Sequence, residues 1–387
     1  MLKKFTVSNY RSFEKPITLD FTNVRDYQFN EECVKDGLIS KGIIYGKNAV
    51  GKTNLGMAIL DITTMIPPTG FLLKYISNGI TLKETGFVNA KSNLEHAQFD
   101  YLFQLDEFEI QYVYKKHQAD KIHFESLLIN GKLLYEINFD TRKSNFDAFE
   151  NHPELNLLNL DDWQNHNSVL KYILSHTKLS LNHPLSKLKF FISEMVDLDT
   201  AFPFARKTEF LIETMIHTEN EKLGLVDNFQ YFLQSYGIDM KLVVKSTPDG
   251  KRELYIDFQD KLLLFREHAS SGTLSLVKLF YLITTCYDST FIYIDEFDAS
   301  FHFSLSKSML EEFKKLTNTQ IIITTHNTDL MSNKYMRPDC YLLMFPDKII
   351  NLADATDRNL RMGHNLETLY QAGEFDYPTS PVGDENE

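Results

Sequence analysis

Hydrophobic and polar residues alternate along several stretches of the chain, the pattern of strands with one buried face. Two alternating runs within residues 1–22, separated by a polar turn, predict paired strands. The stretches His96–Tyr114 and Lys121–Phe139 repeat this pattern with many aromatic and β-branched residues, and they predict further antiparallel strands. Another alternating pair, Met240–Lys245 and Glu253–Phe258, flanks a Pro-Asp-Gly turn and predicts a hairpin.

Continuous apolar runs predict a second kind of strand, one that is buried on both faces. These runs are Gly42–Tyr45, Phe291–Ile294, Gln320–Thr324 and Cys340–Phe345. Helix-length segments separate them, and Asn54–Met65 has the spacing of a helix directly after the first run. This alternation predicts a mostly parallel sheet with helices on its faces, which places the chain in the α/β class.

The pattern also suggests how the chain is divided. Residues 1–139 are predicted to form a first lobe that combines the first apolar run with the antiparallel strands. Residues 140–236 have mainly helix-length patterns divided by prolines, and they predict a helical insertion. A second lobe is expected over residues 237–376. The acidic residues 377–387, which include Pro and Gly, predict a disordered tail.

Composition and charge narrow the class of protein. The 387 residues are 43% hydrophobic and carry a formal net charge of −13. That charge argues against a surface covered with phosphate-binding lysines, although a local basic groove and DNA binding stay open. The longest apolar stretch, Leu276–Ile294, is interrupted by Lys278 and Asp288, so it lacks the roughly 20 apolar residues of a membrane span. With no signal segment at the start, we expect a cytoplasmic protein without membrane contact.

The three cysteines, Cys33, Cys286 and Cys340, are odd in number and far apart. They lack the spacing of a zinc site. We therefore expect them to be small residues of the core rather than a disulfide framework.

The segment Gly46-Lys47-Asn48-Ala49-Val50-Gly51-Lys52-Thr53 matches a phosphate-binding loop, with a predicted strand before it and a helix after it that begins near Asn54. Glycines let successive backbone N–H groups face the phosphates at a helix N-terminus. Lys52 is expected to reach the β- and γ-phosphates, and the Thr53 hydroxyl to bind Mg²⁺. ATP and Mg²⁺ are therefore the expected ligands.

A second candidate element is the pair Asp295-Glu296 at the end of an apolar strand. Asp295 suits a role in holding Mg²⁺ opposite Thr53, and Glu296 suits the polarisation of the water that attacks the γ-phosphate. Acids at strand ends are also common as plain solvated residues. The position of this pair in the pattern favours the catalytic role.

Two more segments could complete the site. Ser270-Ser271-Gly272-Thr273 directly precedes a helix-length run, so Ser270 suits an ordinary N-cap, and the segment also suits an anion-binding element. His326 follows the strand Gln320–Thr324 closely, and it could donate to a γ-phosphate. Taken alone, a histidine at a strand end is more simply interpreted as an ordinary residue without a role in phosphate binding.

Together these motifs resemble the head of ABC-class ATPases, and more narrowly the AAA-type ATPases related to OLD, RecF and SMC proteins. The opening Phe5-x-Val-x-Asn9-Tyr10-Arg11-Ser12-Phe13 resembles the Asn-Phe-Arg-Ser-Phe start of that group. The segment Arg358–Gly373 is similar to the end of the prokaryotic defence ATPases RloA, AbiL and the AriA subunit of PARIS. Its Arg358 and Arg361 suit either a partner-docking site or a plain amphipathic surface helix.

The resemblance implies that two heads dimerise head to tail. Ser270–Thr273 of one copy would then cap the γ-phosphate held by Lys52 of the other. Asp298 to Ser300 would cross the interface, with His302 beside them. The family's Leu-Ser-Gly-Gly-Gln signature is Ser-Ser-Gly-Thr in this sequence, which leaves the trans contact and the hydrolysis rate open. For the metal-side glutamine of the family, Gln98 and Gln104 are the candidates.

The leading hypothesis is an ATPase that assembles around ATP and senses infection or gates an effector in anti-phage defence. The segment after His326 is too short for the nuclease domain that OLD proteins append, so the effector, a nuclease or toxin, is expected on a separate chain. A RecF-like DNA-repair clamp is one alternative. A nucleotide-gated scaffold with little turnover is another. Expected partners are a second copy of the chain and the effector.

Overall fold

The structure is a computed structural model that describes residues 1–66, 87–119, 121–156, 158, 168–199, 204–219, 224–297 and 303–376. The predicted tail, residues 377–387, lies outside these ranges. Within them, no helix has both the length and the apolar composition needed to cross a membrane.

Within the described ranges, the strands are short to medium in length and fall into four sheets. In chain order they are β1 Leu2–Ser8, β2 Ile17–Asp20, β3 Val34–Lys35, β4 Leu38–Ile39, β5 Lys41–Tyr45, β6 Ala97–Leu105, β7 Phe108–Gln118, β8 Lys121–Ile129, β9 Lys132–Asn138, β10 Lys143–Asn145, β11 Met195–Asp199, β12 Leu242–Ser246, β13 Arg252–Asp257, β14 Leu262–Leu264, β15 Phe291–Asp295, β16 Gln320–Thr324, β17 Tyr341–Met344 and β18 Ile349–Asn351.

The described α-helices include one directly after the glycine loop, as predicted, and several in the segment 140–236. In chain order they are α1 Lys52–Leu60, α2 Val169–His176, α3 Pro184–Ser193, α4 Phe204–Glu219, α5 Leu225–Ser235, α6 Phe265–His268, α7 Ser271–Asp288, α8 Phe303–Lys315 and α9 Leu366–Gln371.

The central sheet has the strand order β11-β15-β16-β5-β17-β18. Neighbouring strands are parallel from β11 to β17, and β18 is antiparallel to β17. Every residue of β5, β15, β16 and β17 is buried, as their continuous apolar runs predicted. Because β16 lies between β5 and β15, the carboxyl ends of these three strands meet at one edge. The predicted α/β class with a mostly parallel sheet is confirmed.

A larger antiparallel sheet, in the order β10-β9-β8-β7-β6-β1-β2, packs against the same core. Along β6, buried residues alternate with half-buried ones, as the sequence pattern predicted. The buried face contacts α1, where the Tyr101 hydroxyl donates to the Ala58 carbonyl at 2.9 Å. The opposite face is polar, and Gln111 donates there to Asp100. The antiparallel sheet therefore supports the helix that follows the glycine loop.

The segment predicted as a helical insertion, residues 140–236, contains α2 to α5 and also the strands β10 and β11. β11 pairs in parallel with β15 and so extends the central sheet. Its five residues include two aspartates, and local periodicity gave no strand there. The ladder with β15 is a tertiary interaction that outweighs this weak local preference. The division of the chain into lobes stays a prediction.

Two smaller predictions concern the hairpin and the cysteines. β12 and β13 pair antiparallel, with Leu242 opposite Ile256, and β14 continues this small sheet. Cys33 and Cys340 are buried, and the Cys340 thiol lies 3.9 Å from the Cys33 carbonyl. The core role is confirmed for these two, whereas the side chain of Cys286 lies outside the described part of the structure.

Candidate nucleotide site

The glycine loop follows β5 directly and turns sharply into α1. Two of its residues have left-handed backbone, Ala49 with a φ of 64° and Gly51 with a φ of 110°. A Cβ on Gly46 would lie 2.8 Å from the Met344 carbonyl, and one on Gly51 would lie 2.7 Å from the Phe13 ring. Both glycines are therefore required by space, and Gly51 also by its backbone angle.

Lys52 curls back over the loop that precedes it. Its Nζ donates to the carbonyls of Gly46 and Lys47, at 2.9 and 3.2 Å. Burial lowers the pKa of the ammonium group, and the negative charges of Asp295 and Glu296 act in the opposite direction. The lysine thus lies in the field of both predicted carboxylates, where a polyphosphate would replace the carbonyls as its partner.

Thr53 and Asp295, predicted as the metal-side pair, are in direct contact. The Thr53 hydroxyl donates to Asp295 Oδ2 at 2.5 Å, although the two residues come from α1 and β15. The other carboxylate oxygen, Oδ1, accepts from the Thr324 hydroxyl at 2.6 Å. Asp295 is buried, so these two hydrogen bonds hold its carboxylate in one orientation.

Glu296 lies beside this pair with a strained backbone. Its φ is 47°, a left-handed value that a non-glycine residue seldom adopts. Its backbone N–H donates to the Thr324 hydroxyl at 2.9 Å, and the N–H of Phe297 donates to the Thr324 carbonyl at 2.9 Å. Strain of this kind is retained where surrounding contacts enforce it, and such positions cluster at functional sites.

The remaining members of the predicted loop are more open. Lys47, Asn48 and Ala49 are exposed at the surface, and Val50 is half-buried. Asn54, in the first turn of α1, donates through Nδ2 to the Ser12 hydroxyl at 2.8 Å. An exposed loop with backbone free to receive a ligand is what phosphate binding requires.

His326 is exposed just beyond β16. Its neighbour Asn327 accepts a hydrogen bond from the Tyr45 hydroxyl at 3.1 Å, which ties the segment to the end of β5. The histidine therefore emerges from the central strand of the three, between the glycine loop and the carboxylates. This is the edge where the prediction required it.

The segment Ser270–Thr273 forms the start of α7, as an N-cap predicts. The Ser270 hydroxyl accepts from the Thr273 N–H at 3.1 Å, and the two hydroxyls are 2.9 Å apart. Ser270, Ser271 and Gly272 are exposed. Among the described residues, no hydrogen bond joins this segment to loop 46–53.

The remaining predicted positions are the interface loop and the two candidates for the metal-side glutamine. Asp298, Ser300 and His302 lie outside the described residues. Gln98 and Gln104 alternate with the buried positions of β6, so they lie on the sheet face opposite to α1, and the Gln104 amide donates to the Asp106 carbonyl. Neither glutamine is placed to serve as the metal-side residue, because a period-two strand turns both away from the loop.

The C-terminal motif does not form the surface helix considered for its arginines. Arg358 precedes α9 and pairs with Glu374, with 2.8 Å between Nε and Oε1. The Arg361 carbonyl accepts from the Asn333 side chain at 2.9 Å. The residues from Arg358 to the start of α9 therefore form a turn that contacts the chain beyond His326, and the helix begins only at Leu366.

Three contributors were missed at the level of sequence. Thr324 holds Asp295 and the backbone of Glu296. Tyr293 donates its hydroxyl to the Lys52 carbonyl at 2.6 Å, and Ser12 holds Asn54. A hydroxyl at the end of a buried strand beside the acid-bearing strand could have indicated Thr324, whereas the others depend on tertiary packing.

The donor set fits a magnesium ion. Mg²⁺ prefers oxygen ligands and usually keeps several waters, with one or two ligands from the protein. The Thr53 hydroxyl and the carboxylate of the buried Asp295 supply two such oxygens. The Thr324 hydroxyl already holds Oδ1 of Asp295 in place. The residues present are therefore suitable for the ion that the loop implies.

Comparisons with known proteins come from solved structures and from a family model. The chain resembles an SMC head bound to the C-winged helix domain of ScpA, with a TM-score of 0.47 and 14% identity over 90% of this chain and 96% of that one. It also resembles the SMC head domain from Thermotoga maritima, with a TM-score of 0.41 and 13% identity over 90% and 98%. A third is the Smc head domain with an extended coiled coil bound to the C-terminal domain of ScpA derived from Pyrococcus furiosus, with a TM-score of 0.40 and 13% identity over 92% and 97%.

No curated protein matches the chain significantly. The family model described as "AAA domain, putative AbiEii toxin, Type IV TA system" matches residues 43–332, a span that contains the glycine loop, the Asp295-Glu296 pair and His326. The chain belongs to this AAA-domain family.

Proposed function

We propose that this chain binds ATP with Mg²⁺ and hydrolyses it. The observation that carries the proposal is the contact of Asp295 with Thr53 and Thr324, at 2.5 and 2.6 Å. It joins the end of the acid-bearing strand to the helix of the glycine loop. Glu296 follows at the same edge, where a water attacking the terminal phosphate would lie.

Each residue has a distinct task in this proposal. Lys52 leaves the loop carbonyls and donates to the β- and γ-phosphates. Thr53 and Asp295 hold Mg²⁺, which when bound neutralises phosphate charge. Glu296 accepts a proton from the attacking water as a general base. His326 donates to the γ-phosphate from the neighbouring strand.

The assembly is proposed to be head to tail. Ser270, Ser271 and Gly272 are exposed at the N-terminus of α7, a helix of 18 residues, where N–H groups and the helix dipole favour an anion. The glycine loop is exposed as well. No hydrogen bond joins the two segments within the described part of one chain, and in this proposal a γ-phosphate bridges them between two copies.

The biological setting is proposed to be anti-phage defence. The family description names a toxin of a toxin–antitoxin system, and the resemblance to RloA, AbiL and AriA points to the same setting. In this proposal ATP-dependent assembly senses infection or gates a separate nuclease or toxin. Ser-Ser-Gly-Thr lacks the second glycine and the glutamine of the usual signature, which favours slow turnover and keeps a nucleotide-gated scaffold as the second candidate.

Glu296→Gln and Lys52→Ala test the nucleotide chemistry. We expect Glu296→Gln to retain ATP binding, accumulate the assembled form and lower phosphate release at least about 100-fold, the typical contribution of a general base. Lys52→Ala should lose ATP binding. Glu136→Gln, an exposed acid on the antiparallel sheet, is the control and should behave as wild type.

Nucleotide affinity, phosphate release and mass by light scattering are the readouts. Unchanged turnover in Glu296→Gln would remove that residue from the chemistry, and retained ATP affinity in Lys52→Ala would contradict the loop assignment. ATP binding without phosphate release in the wild type would favour the scaffold. ATP-dependent DNA binding that weakens steeply with salt would instead favour the RecF-like clamp.

A further inference from the structure

Two histidines and an aspartate converge on the antiparallel sheet. His96 directly precedes β6, His123 lies in β8 and Asp140 follows β9. His123 Nδ1 is 2.7 Å from Asp140 Oδ1, and His96 Nε2 is 3.9 Å from Asp140 Oδ2. One ligand atom from each residue lies within 4.8 Å of the other two. We propose that these three side chains bind a divalent transition-metal ion of the Zn²⁺ class.

The donor atoms select the class of ion. Two imidazole nitrogens and one carboxylate oxygen suit Zn²⁺ and Co²⁺, whereas Mg²⁺ and Ca²⁺ prefer oxygen donors. Bonds of about 2.0–2.1 Å in a tetrahedron place ligand atoms about 3.3 Å apart. The separations of 2.7 Å to Asp140 Oδ1 and 3.9 Å to Asp140 Oδ2 lie on either side of that value. A fourth position stays open to water or a small ligand.

The backbone around the three residues is held in place. The N–H of Phe139, the residue before Asp140, donates to the His123 carbonyl at 3.0 Å. The Asn9 amide donates to the His96 carbonyl at 2.9 Å. The two imidazole rings are 4.2 Å apart between centroids, and their side chains are 23% and 15% exposed. The ligands are thus arranged in advance, yet an ion can reach them.

A second cluster, His152, Glu154 and His183, also combines two histidines with a carboxylate, but its ring protons are arranged differently. The Leu185 N–H donates to His183 Nδ1 at 3.2 Å, so Nδ1 is an acceptor and the ring proton is on Nε2. That Nε2 faces Glu154 at 2.9 Å and donates to it. Because the backbone N–H fixes Nδ1 of His183 as an acceptor, this proton cannot move to the other ring nitrogen, and the nitrogen that faces Glu154 stays protonated. His123 Nδ1 also faces a carboxylate, but within the described residues no backbone N–H donates to a ring nitrogen of His96 or His123, so the His123 proton can move to Nε2 and leave Nδ1 as a metal ligand.

The position of the site suggests what an ion does there. It would fasten the segment before β6 to β8 and to the turn after β9. Asn9, which holds the His96 carbonyl, begins the N-terminal turn whose Phe13 borders Gly51. The ion would therefore stabilise the corner of the sheet next to the glycine loop, and bound metal should raise the melting temperature.

Co²⁺ titration of the full-length chain without an affinity tag tests the proposal. No nucleotide is added, and excess Mg²⁺ is present to occupy oxygen-donor sites such as Thr53 and Asp295. We expect one Co²⁺ per chain with the visible absorption of a four-coordinate site, displaced by Zn²⁺. His96→Ala and His123→Gln should each weaken binding at least about tenfold. His152→Ala, from the second cluster, is the matched control and should bind as wild type.

A thermal readout covers the case in which a histidine variant does not fold. Asp140→Asn changes a side chain that is 49% exposed and should fold. Zn²⁺ should raise the melting temperature of the wild type and of His152→Ala but not that of Asp140→Asn. A wild type without Co²⁺ absorption would overturn the proposal, as would equal binding by His96→Ala and His123→Gln, or a loss confined to His152→Ala.

Discussion

At the scale of single residues, Thr324 connects the two acidic residues of the candidate site. Its hydroxyl donates to Asp295 Oδ1 at 2.6 Å and accepts from the Glu296 N–H at 2.9 Å. The residue is fully buried, so neither bond can be replaced by bulk water. One hydroxyl thus orients the metal-side acid and stabilises the left-handed backbone of the proposed general base.

We predict that Thr324→Val lowers the turnover of ATP while leaving the affinity for ATP within a few-fold of wild type. Valine keeps the shape but removes the hydroxyl's hydrogen bonds to an Asp295 oxygen and to the Glu296 N–H, at about 1–3 kcal/mol for a buried group. An effect of that size on the chemical step is about tenfold to 100-fold in kcat. Steady-state phosphate release measured against Mg²⁺ concentration checks it.

Thr324→Ser is the matched control, since it restores the hydroxyl and removes only a methyl group. It should recover most of the turnover and the wild-type dependence on Mg²⁺. Equal rates for the valine and serine variants would contradict a positioning role for the hydroxyl.

At the scale of elements, α1 is held at its start, middle and end. The Tyr293 hydroxyl bonds the Lys52 carbonyl, and the same tyrosine ring packs against Gly56. At the end, Asp61 accepts from the buried Lys116 ammonium group of β7 at 2.6 Å. The helix that presents Lys52 and Thr53 is therefore attached to both large sheets.

Gly56→Ala is predicted to destabilise the fold despite the better helix propensity of alanine. The gain in propensity is about 1 kcal/mol. Against it, the new Cβ would lie 2.4 Å from the Tyr293 ring, and overpacking of this kind costs about 1–3 kcal/mol or more. We expect a melting temperature lower by several degrees and weaker ATP binding, measured by thermal unfolding and nucleotide titration.

Gly363→Ala provides the comparison, because a Cβ there has nothing within 4 Å. Its melting temperature should match the wild type within error. A Gly56→Ala protein as stable as Gly363→Ala would show that α1 can move away from Tyr293 without cost.

At the scale of the whole molecule, the proposed site is divided between copies of the chain. The glycine loop and Ser270–Thr273 both carry exposed residues, and among the described residues no hydrogen bond joins them. In this arrangement each site takes its glycine loop from one chain and its signature segment from the other. A substitution in the loop and a substitution in the signature segment of the same chain would therefore damage two different sites.

We predict that two inactive variants restore activity when mixed. Lys52→Ala removes the loop lysine, and Ser270→Arg places a bulky side chain at the exposed signature while leaving the loop intact. In a mixed dimer, one of the two sites receives the loop of the Ser270→Arg chain and the signature of the Lys52→Ala chain. Phosphate release should therefore rise well above the sum of the separate variants.

The chain that carries both substitutions is the control, because it offers no intact half to either partner. Mixing it with Lys52→Ala should give no recovery. If Lys52→Ala and Ser270→Arg also fail to complement, or if Ser270→Arg alone turns over as wild type, the head-to-tail arrangement is wrong.

Much of the fold and of the candidate site could be predicted from local patterns in the sequence. Strands such as β5, β15 and β16 are short apolar runs between clear turns, and their burial follows from composition alone. The loop from Gly46 to Thr53 is likewise readable, because its chemistry requires contiguous residues. Asp295 and Glu296 were identifiable because a buried strand that ends in two acids places them at a sheet edge.

Contacts between distant segments needed the fold. β11 became a strand through its ladder with β15, and only the packing of the buried face of β6 against α1 showed that Gln98 and Gln104 face away from the loop. Thr324 lies 29 residues after Asp295 in the chain, yet its hydroxyl is 2.6 Å from that carboxylate. Short-range periodicity reports which face of an element is apolar, whereas the pairing of elements depends on long-range packing. The sequence by itself thus determines which residue types the site contains, and the tertiary fold determines the distances between them.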